Sequence, residues 1–221
     1  MIVHNLERVL HSIEEAKNRY NRNDEIKLIA VSKYSQSSHI LQAFQAGQIA
    51  FGENKVQDLS RKSQELKPLD IEWHFIGTLQ ENKINMLLHL KPQLLHSLHS
   101  MNLANALQKR LERENLFLDT LLQINSANED TKHGFSIESA YESYKQIAET
   151  CSNIRLQGIM CMGAHSNSIK LIEKSFVIAK NLYDKLQVDG AKILSMGMSS
   201  DYEIAIANGS NCLRIGSQIF C

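Results

Sequence analysis

Lys33 closes the apolar run IKLIAVSK (26–33), and an amine at such a position can form a Schiff base with an aldehyde. Side chains alternate along a strand, so Ile29, Val31 and Lys33 share one face while Leu28, Ala30 and Ser32 take the other. If the Ile29 face points inward, apolar walls crowd the amine away from water and favour its neutral, nucleophilic form. The commoner fate of a strand-end lysine is to reach into solvent along its own stem, so position alone does not decide.

A second chemistry lies at the other end of the chain. In SMGMSSDYEIAIANG (195–209), Ser200 and Glu203 have capping-box spacing and Gly209 marks a stop, which predicts a helix starting directly after a strand. Unpaired first-turn amides beside the Ser199 hydroxyl could hold a phosphate, although an ordinary capped helix has the same signature. RIGSQIF then offers Gly216, where backbone can approach a ligand closely, and Ser217 as a further donor. Two donor-rich loops at neighbouring strand ends say more than either alone, because phosphate sites in barrels favour the loops after strands seven and eight.

Arg214 shares a strand face with Gly216 but lies two residues deeper, pointing into the barrel beneath the phosphate. A buried arginine needs a partner, either a carboxylate or a ring nitrogen of a bound ligand. In FGEN (51–54), Asn54 could hydrogen-bond a phenolic oxygen or simply begin a turn, and Glu53 could pair with a neighbouring base. His74 falls mid-strand, where a core histidine with satisfied nitrogens is the commoner finding. His96 and His99, three apart in an extended segment, face opposite ways and predict no metal site.

These residues require strands to carry them. Eight apolar runs, 26–33, 48–54, 72–77, 93–100, 117–125, 155–162, 191–198 and 212–220, alternate with helical patterns near 37–46, 55–66, 80–90, 102–115, 136–150, 168–187 and 200–208. That alternation predicts a parallel sheet, and eight units at this length predict a closed (β/α)8 TIM barrel of class α/β, an open doubly wound sheet being the alternative. The runs are nearly continuous, as expected of strands covered on both faces. An extra amino-terminal helix over 2–20 presents Val3, Leu6, Val9, Leu10, Ile13 and Ala16 as one stripe. Only Pro68 and Pro92 interrupt the chain and nothing reads as a linker, so residues 1–221 are expected to form one domain.

The chain has 221 residues, 43% hydrophobic and 22% charged, with 24 basic and 24 acidic side chains. A balanced charge supplies no polycation for nucleic acid, so any anion must be bound locally. Charges throughout the first 25 residues and the lack of a membrane-length apolar run predict a soluble protein without membrane contact. Cys151, Cys161, Cys212 and Cys221 are scattered without CxxC spacing, which fits a reducing cytoplasm. The outer helices show no interface stripe, and a monomer is expected.

AVSK (30–33), FGENKVQD (51–58), WHFIGTLQENK (73–83), QINSANEDTKHGF (123–135), LQGIMCMGA (156–164) and LSMGMSSDYEIAIANGSNCLRIGSQIF (194–220) together resemble the pyridoxal phosphate homeostasis protein family, single-domain relatives of the alanine racemase barrel. The resemblance spans nearly the whole chain. It implies a fold-type III barrel with pyridoxal 5'-phosphate (PLP) linked to Lys33, phosphate contacts from Ser199, Gly216 and Ser217, and Arg214 near the pyridine nitrogen; Asn54 is taken as a cofactor contact from the reading of FGEN alone. Thr78 stands where the family commonly has proline, and Cys161 and Gly163 lie in a segment that usually differs.

The resemblance implies a carrier or buffer of vitamin B6 that delivers the cofactor to apo-enzymes, not a dedicated catalyst. An always-protonated arginine leaves the pyridine nitrogen unprotonated and so weakens the ring as an electron sink. The alternative is an amino-acid racemase, which needs a base on each face of the substrate. Racemases of this barrel bring the second base, a tyrosine, from a further domain that is expected to be absent, although Tyr34, Tyr141, Tyr144 and Tyr202 remain as tyrosines near loops. A cofactor-free Schiff-base aldolase ranks last, since it leaves the paired phosphate loops unexplained.

Overall fold

The computed structural model describes residues 1–129 and 133–221. Part of the QINSANEDTKHGF segment, Asp130, Thr131 and Lys132, therefore lies outside the described residues. Strands β1 (Lys27–Val31), β2 (Ala50–Glu53), β3 (Glu72–Phe75), β4 (Leu94–Leu98), β5 (Leu118–Gln123), β6 (Ile154–Met160), β7 (Ile193–Ser195) and β8 (Cys212–Ile215) pair in parallel and in sequence order, and β8 returns to β1 to close a barrel. All eight expected strands are present but shorter than their apolar runs, because the last residues of each run turn away to shape the mouth. The largest difference is at the carboxyl end, where 216–220 continues not as strand but as a helical turn.

The helices are α1 (Ile2–Arg19), α2 (Ser37–Gln45), α3 (Val56–Glu65), α4 (Ile84–His89), α5 (Met101–Glu114), α6 (Ile137–Thr150), α7 (Ile169–Leu186), α8 (Tyr202–Ala207) and α9 (Ser217–Phe220). Serine caps start two of them: Ser100 Oγ accepts from the Leu103 amide at 3.2 Å, and Ser136 Oγ from the Ser139 amide at 3.3 Å. The capping box expected at Ser200 does not form. Asp201 occupies the cap position of α8, and its carboxylate accepts from the Met198 amide at 2.6 Å, closing the loop before the helix instead of the helix itself.

Helix α1 packs against α2, α8 and α9 and covers the seam where β8 meets β1. Its buried stripe is Ile2, Leu6, Val9, Ile13 and Ala16, whereas Val3 and Leu10 of the expected stripe are exposed. Each fully buried aliphatic side chain of this kind contributes about 1.5–3 kcal/mol. Strand phase follows the expected alternation. Leu28 and Ala30 face the large core beneath the helices, while Ile29 joins Ala50 and Cys212 inside the barrel, near Leu94, Leu121 and Met160. No helix of the described residues is long and apolar enough to cross a membrane.

Candidate functional site

A cavity of about 700 Å³ opens at the carboxyl ends of the strands. Lys33, Asn54, Ser199, Arg214, Gly216 and Ser217, singled out from four separate stretches of sequence, all line it. The barrel brings them together because each follows, or ends, a strand that points to the same mouth.

Lys33 sits two residues beyond the end of β1, in a turn closed by the Ser35 amide on the Ser32 carbonyl at 2.8 Å. This corrects the expectation that the lysine is crowded by apolar walls. The turn carries it past the strand to the rim, where it is exposed and its ammonium lies 5.1 Å from the centre of the Tyr34 ring. What fixes its backbone is the residue before it. Ser32 is fully buried on the outer face, where its hydroxyl donates to Glu53 Oε1 at 2.6 Å and its carbonyl accepts from Lys62 Nζ at 2.7 Å. Lys62 also pairs with Glu53 at 2.7 Å, and both side chains are almost wholly out of solvent. Glu53 thus has the basic partner expected of it.

Asn54 follows β2 at the same level. Gly77 permits its position: a Cβ at residue 77 would lie 2.0 Å from the Asn54 carbonyl oxygen, so only glycine lets the two strand ends approach.

Next to β1 around the barrel, the loops after β7 and β8 are stapled together. The Gly216 amide donates to Ser199 Oγ at 3.3 Å, and Gln218 Nε2 donates to the Ser199 carbonyl at 2.6 Å. Gly216 packs so closely on β1 that a Cβ there would meet the Val31 carbonyl at 2.9 Å. Ser217 and Gln218 begin a helical turn, so their amides have no acceptor within it. The Ser199 hydroxyl, already accepting one bond, keeps its own proton to donate. This is a donor set suited to a phosphate, made by backbone and hydroxyl groups and not by a cluster of cations.

Arg214 lies beneath these loops, 5% exposed. Its guanidinium donates to Ser195 Oγ at 2.6 Å and to the Cys161 carbonyl at 2.8 Å. Burial pulls it below the ordinary guanidinium range, against the opposing influence of Cys212, Cys161 and Asp201, but arginine stays charged at any working pH. Because the bond to residue 161 uses a carbonyl, the unusual cysteine there leaves this anchor intact. Thr78, another departure, is exposed at the rim of the cavity.

Some lining residues were not foreseen. Gln123 ends β5 and donates to the His133 carbonyl at 2.8 Å, and Met160, Met162 and Met198 supply soft, polarizable wall. Met160 and Met162 alternate in RLQGIMCM, a pattern that core residues share, so nothing in the sequence separates them. Lys62 did carry a signal: it follows Val56 and Leu59 at three-residue spacing on the buried face of α3, where a lysine needs an anion. His74 is buried as expected of a core histidine, but only one ring nitrogen is satisfied: Nδ1 meets His96 Nε2 at 3.0 Å while Nε2 has no partner. His96 points into the barrel and His99 to the rim, near the His133 ring at 5.7 Å.

Comparison with known proteins agrees with this geometry. Residues 4–221 match the family described as alanine racemase, N-terminal domain. A pyridoxal phosphate homeostasis protein of Helicobacter pylori is 51% identical over 215 residues, covering 97% of this chain and 96% of that protein. The structure of PipY from Synechococcus elongatus, solved with PLP bound, superposes with a TM-score of 0.85 at 28% identity and full coverage of both chains (100% each). An alanine racemase of Clostridium difficile shares the fold, with a TM-score of 0.79 at 16% identity over 98% of this chain and 59% of its own. By sequence, fold and the residues gathered at its mouth, the chain belongs to the pyridoxal phosphate homeostasis protein family, whose barrel is that of the alanine racemase N-terminal domain.

Proposed function

We propose that this protein holds pyridoxal 5'-phosphate in the mouth cavity, tethered to Lys33 through a Schiff base, and serves as a carrier or buffer of the cofactor and not as a dedicated catalyst. The observation that carries this reading is that one reactive amine, a phosphate-type donor set and a buried arginine line a single cavity. The H. pylori relative is named for pyridoxal phosphate homeostasis, and PipY has been solved with PLP bound, which supports the same ligand here.

When bound, the cofactor supplies a reactive aldehyde. Ser199, Ser217 and the amides at the start of α9 would hold its phosphate, Asn54 its phenolic oxygen, and Arg214 its ring nitrogen. Arg214 can only donate, so it keeps that nitrogen unprotonated and the ring a weak electron sink. This favours storage over carbanion chemistry. The exposure of Lys33 favours exchange, because incoming amines reach the tether from solvent without a lid having to open. In this reading the recipients are apo-enzymes that need the cofactor, and the carrier works as a monomer in a reducing cytoplasm where its four thiols stay free.

The test is chemical. Borohydride treatment of the PLP-loaded protein should fix the cofactor mass on the peptide containing Lys33, and Lys33→Ala should abolish that adduct. The loaded protein should hand PLP to an apo-enzyme while catalysing no deuterium exchange at the α-carbon of free amino acids. Absence of the adduct sinks the tether, and rapid exchange without transfer replaces carriage by racemase-type catalysis.

A further inference from the structure

The barrel interior contains a polar path that the proposed function does not use. Arg214 Nη1 meets Ser195 Oγ at 2.6 Å, Ser195 Oγ meets His96 Nδ1 at 3.2 Å, and His96 Nε2 meets His74 Nδ1 at 3.0 Å. The two rings stand edge to face, 5.2 Å apart. The path ends at His74 Nε2, a buried atom without a partner, 3.9 Å from Glu72 Oε2. It therefore runs from the floor of the cofactor cavity to the opposite mouth, where Glu72 pairs with Lys27.

We propose that Ser195, His96 and His74 form a continuous, polarised hydrogen-bond wire that holds both histidines as neutral Nε2–H tautomers and positions Arg214 in the cavity floor. Polarity follows from what each group can do. Arginine has no acceptor, so Arg214 donates to Ser195. If Ser195 passes its own proton to His96 Nδ1, then His96 donates from Nε2 to His74 Nδ1, and His74 is left with an Nε2–H facing Glu72. The reverse order, with both rings protonated on Nδ1, aims ring dipoles against the guanidinium and a bare lone pair at a carboxylate. Lys27 offsets part of the Glu72 charge, so the guanidinium, which touches the wire directly, sets the direction and Glu72 reinforces it. Cys212, beside Ser195, competes for the same proton but sulfur is the weaker acceptor. Burial keeps both rings neutral, as the path requires. A cavity of about 180 Å³ lined by His74 and Lys27 lies at this end of the path.

Ser195 and His96 are thus positioning residues. They act on a ligand only through Arg214, and that part of the inference rests on the proposed cofactor reading. The wire itself does not. In the full chain labelled with ¹⁵N-histidine, long-range proton–nitrogen correlation should show two buried rings as Nε2–H tautomers, and Ser195→Ala should shift the nitrogens of both while the remaining histidines stay in place. An Nδ1–H tautomer in either ring, or a shift confined to one, overturns the wire. With PLP, Ser195→Ala should weaken affinity about tenfold while borohydride still fixes the cofactor on Lys33, and Ser195→Thr should restore affinity. Unchanged affinity in the alanine variant overturns the positioning role. Should the unsubstituted protein take up no PLP, the proposed function falls, while the tautomers still decide the wire; they are read without any substitution, so a variant that fails to fold does not remove the test.

Discussion

The two mouths of the barrel are both polar, yet they differ in what their polar groups are bonded to. At the amino-terminal mouth charges face charges: Lys27 pairs with Glu72, and Arg155 Nε donates to Asp119 at 2.6 Å around a cavity of about 180 Å³. At the carboxyl-terminal mouth the cavity is about 700 Å³, and Lys33, the Ser217 hydroxyl and the first amides of α9 face it without an ionic partner among the described residues. Polarity alone does not mark a ligand site. A set of donors that line a cavity and are engaged by no protein group does, because a ligand can take them without breaking an internal bond.

The largest effect on stability is expected just outside the carboxyl-terminal mouth, at the buried ion pair of Lys62 with Glu53. Lys62→Met leaves Glu53 buried without its counter-ion and should cost about 3–5 kcal/mol, read from urea unfolding. It should also loosen the Ser32 carbonyl and slow capture of PLP by Lys33, whose own side chain is untouched. The double variant Glu53→Leu with Lys62→Met should recover most of the stability but not the capture rate. Recovery of both would show that the ion pair has no part in placing the lysine, and would erase the distinction between support and site.

That support was only half legible in the sequence. The eight strands announced themselves as apolar runs, and alternation in IKLIAVSK put Ile29 and Val31 on one face, which the barrel turns inward, because period-two patterning is a local property. Ser199, Gly216 and Ser217 were legible as donor-rich loops for the same reason. The partners of Glu53 and His74 were not. The first needs the angle at which α3 returns over β2, and the second needs the register of β3 on β4, where His74 lies opposite Leu94 and so within reach of His96. Neither is encoded within a window of neighbouring residues. The ends of the runs misled for a related reason: 216–220 is apolar enough for strand, but the chain has passed the last neighbour it could pair with and coils into α9.

Between the mouths, the buried histidines make a smaller prediction with a definite sign. Burial lowers His74 to about 3 and also depresses His96, with His74 and Arg214 adding to the latter. Below about pH 6.5 the unfolded chain therefore takes up protons that the folded barrel refuses, and stability falls as pH drops from about 6.5 towards 3. The slope should approach about 1.4 kcal/mol per pH unit for each ring. Urea midpoints between pH 7 and pH 5 read it, above the range where most carboxylates titrate. A flat profile there would mean that the rings take up protons as readily in the folded barrel as in the unfolded chain, and the interior would no longer separate the two ends.

The finest test compares one mild substitution at each mouth. Arg155 is 57% exposed and its partner Asp119 26% exposed, so Arg155→Gln should cost about 0.5 kcal/mol and leave PLP affinity unchanged. Ser217→Ala should cost still less stability, since its exposed hydroxyl has no protein partner among the described residues, yet it should weaken PLP affinity about tenfold by removing a donor to a charged group. The two substitutions are thus expected to have opposite profiles: a small structural effect without a binding effect at one end, and a binding effect without a structural one at the other. Equal binding effects at both mouths would contradict the assignment of the site from unused hydrogen-bonding capacity, because Arg155 has spent its charge on Asp119 and has none left to offer a ligand.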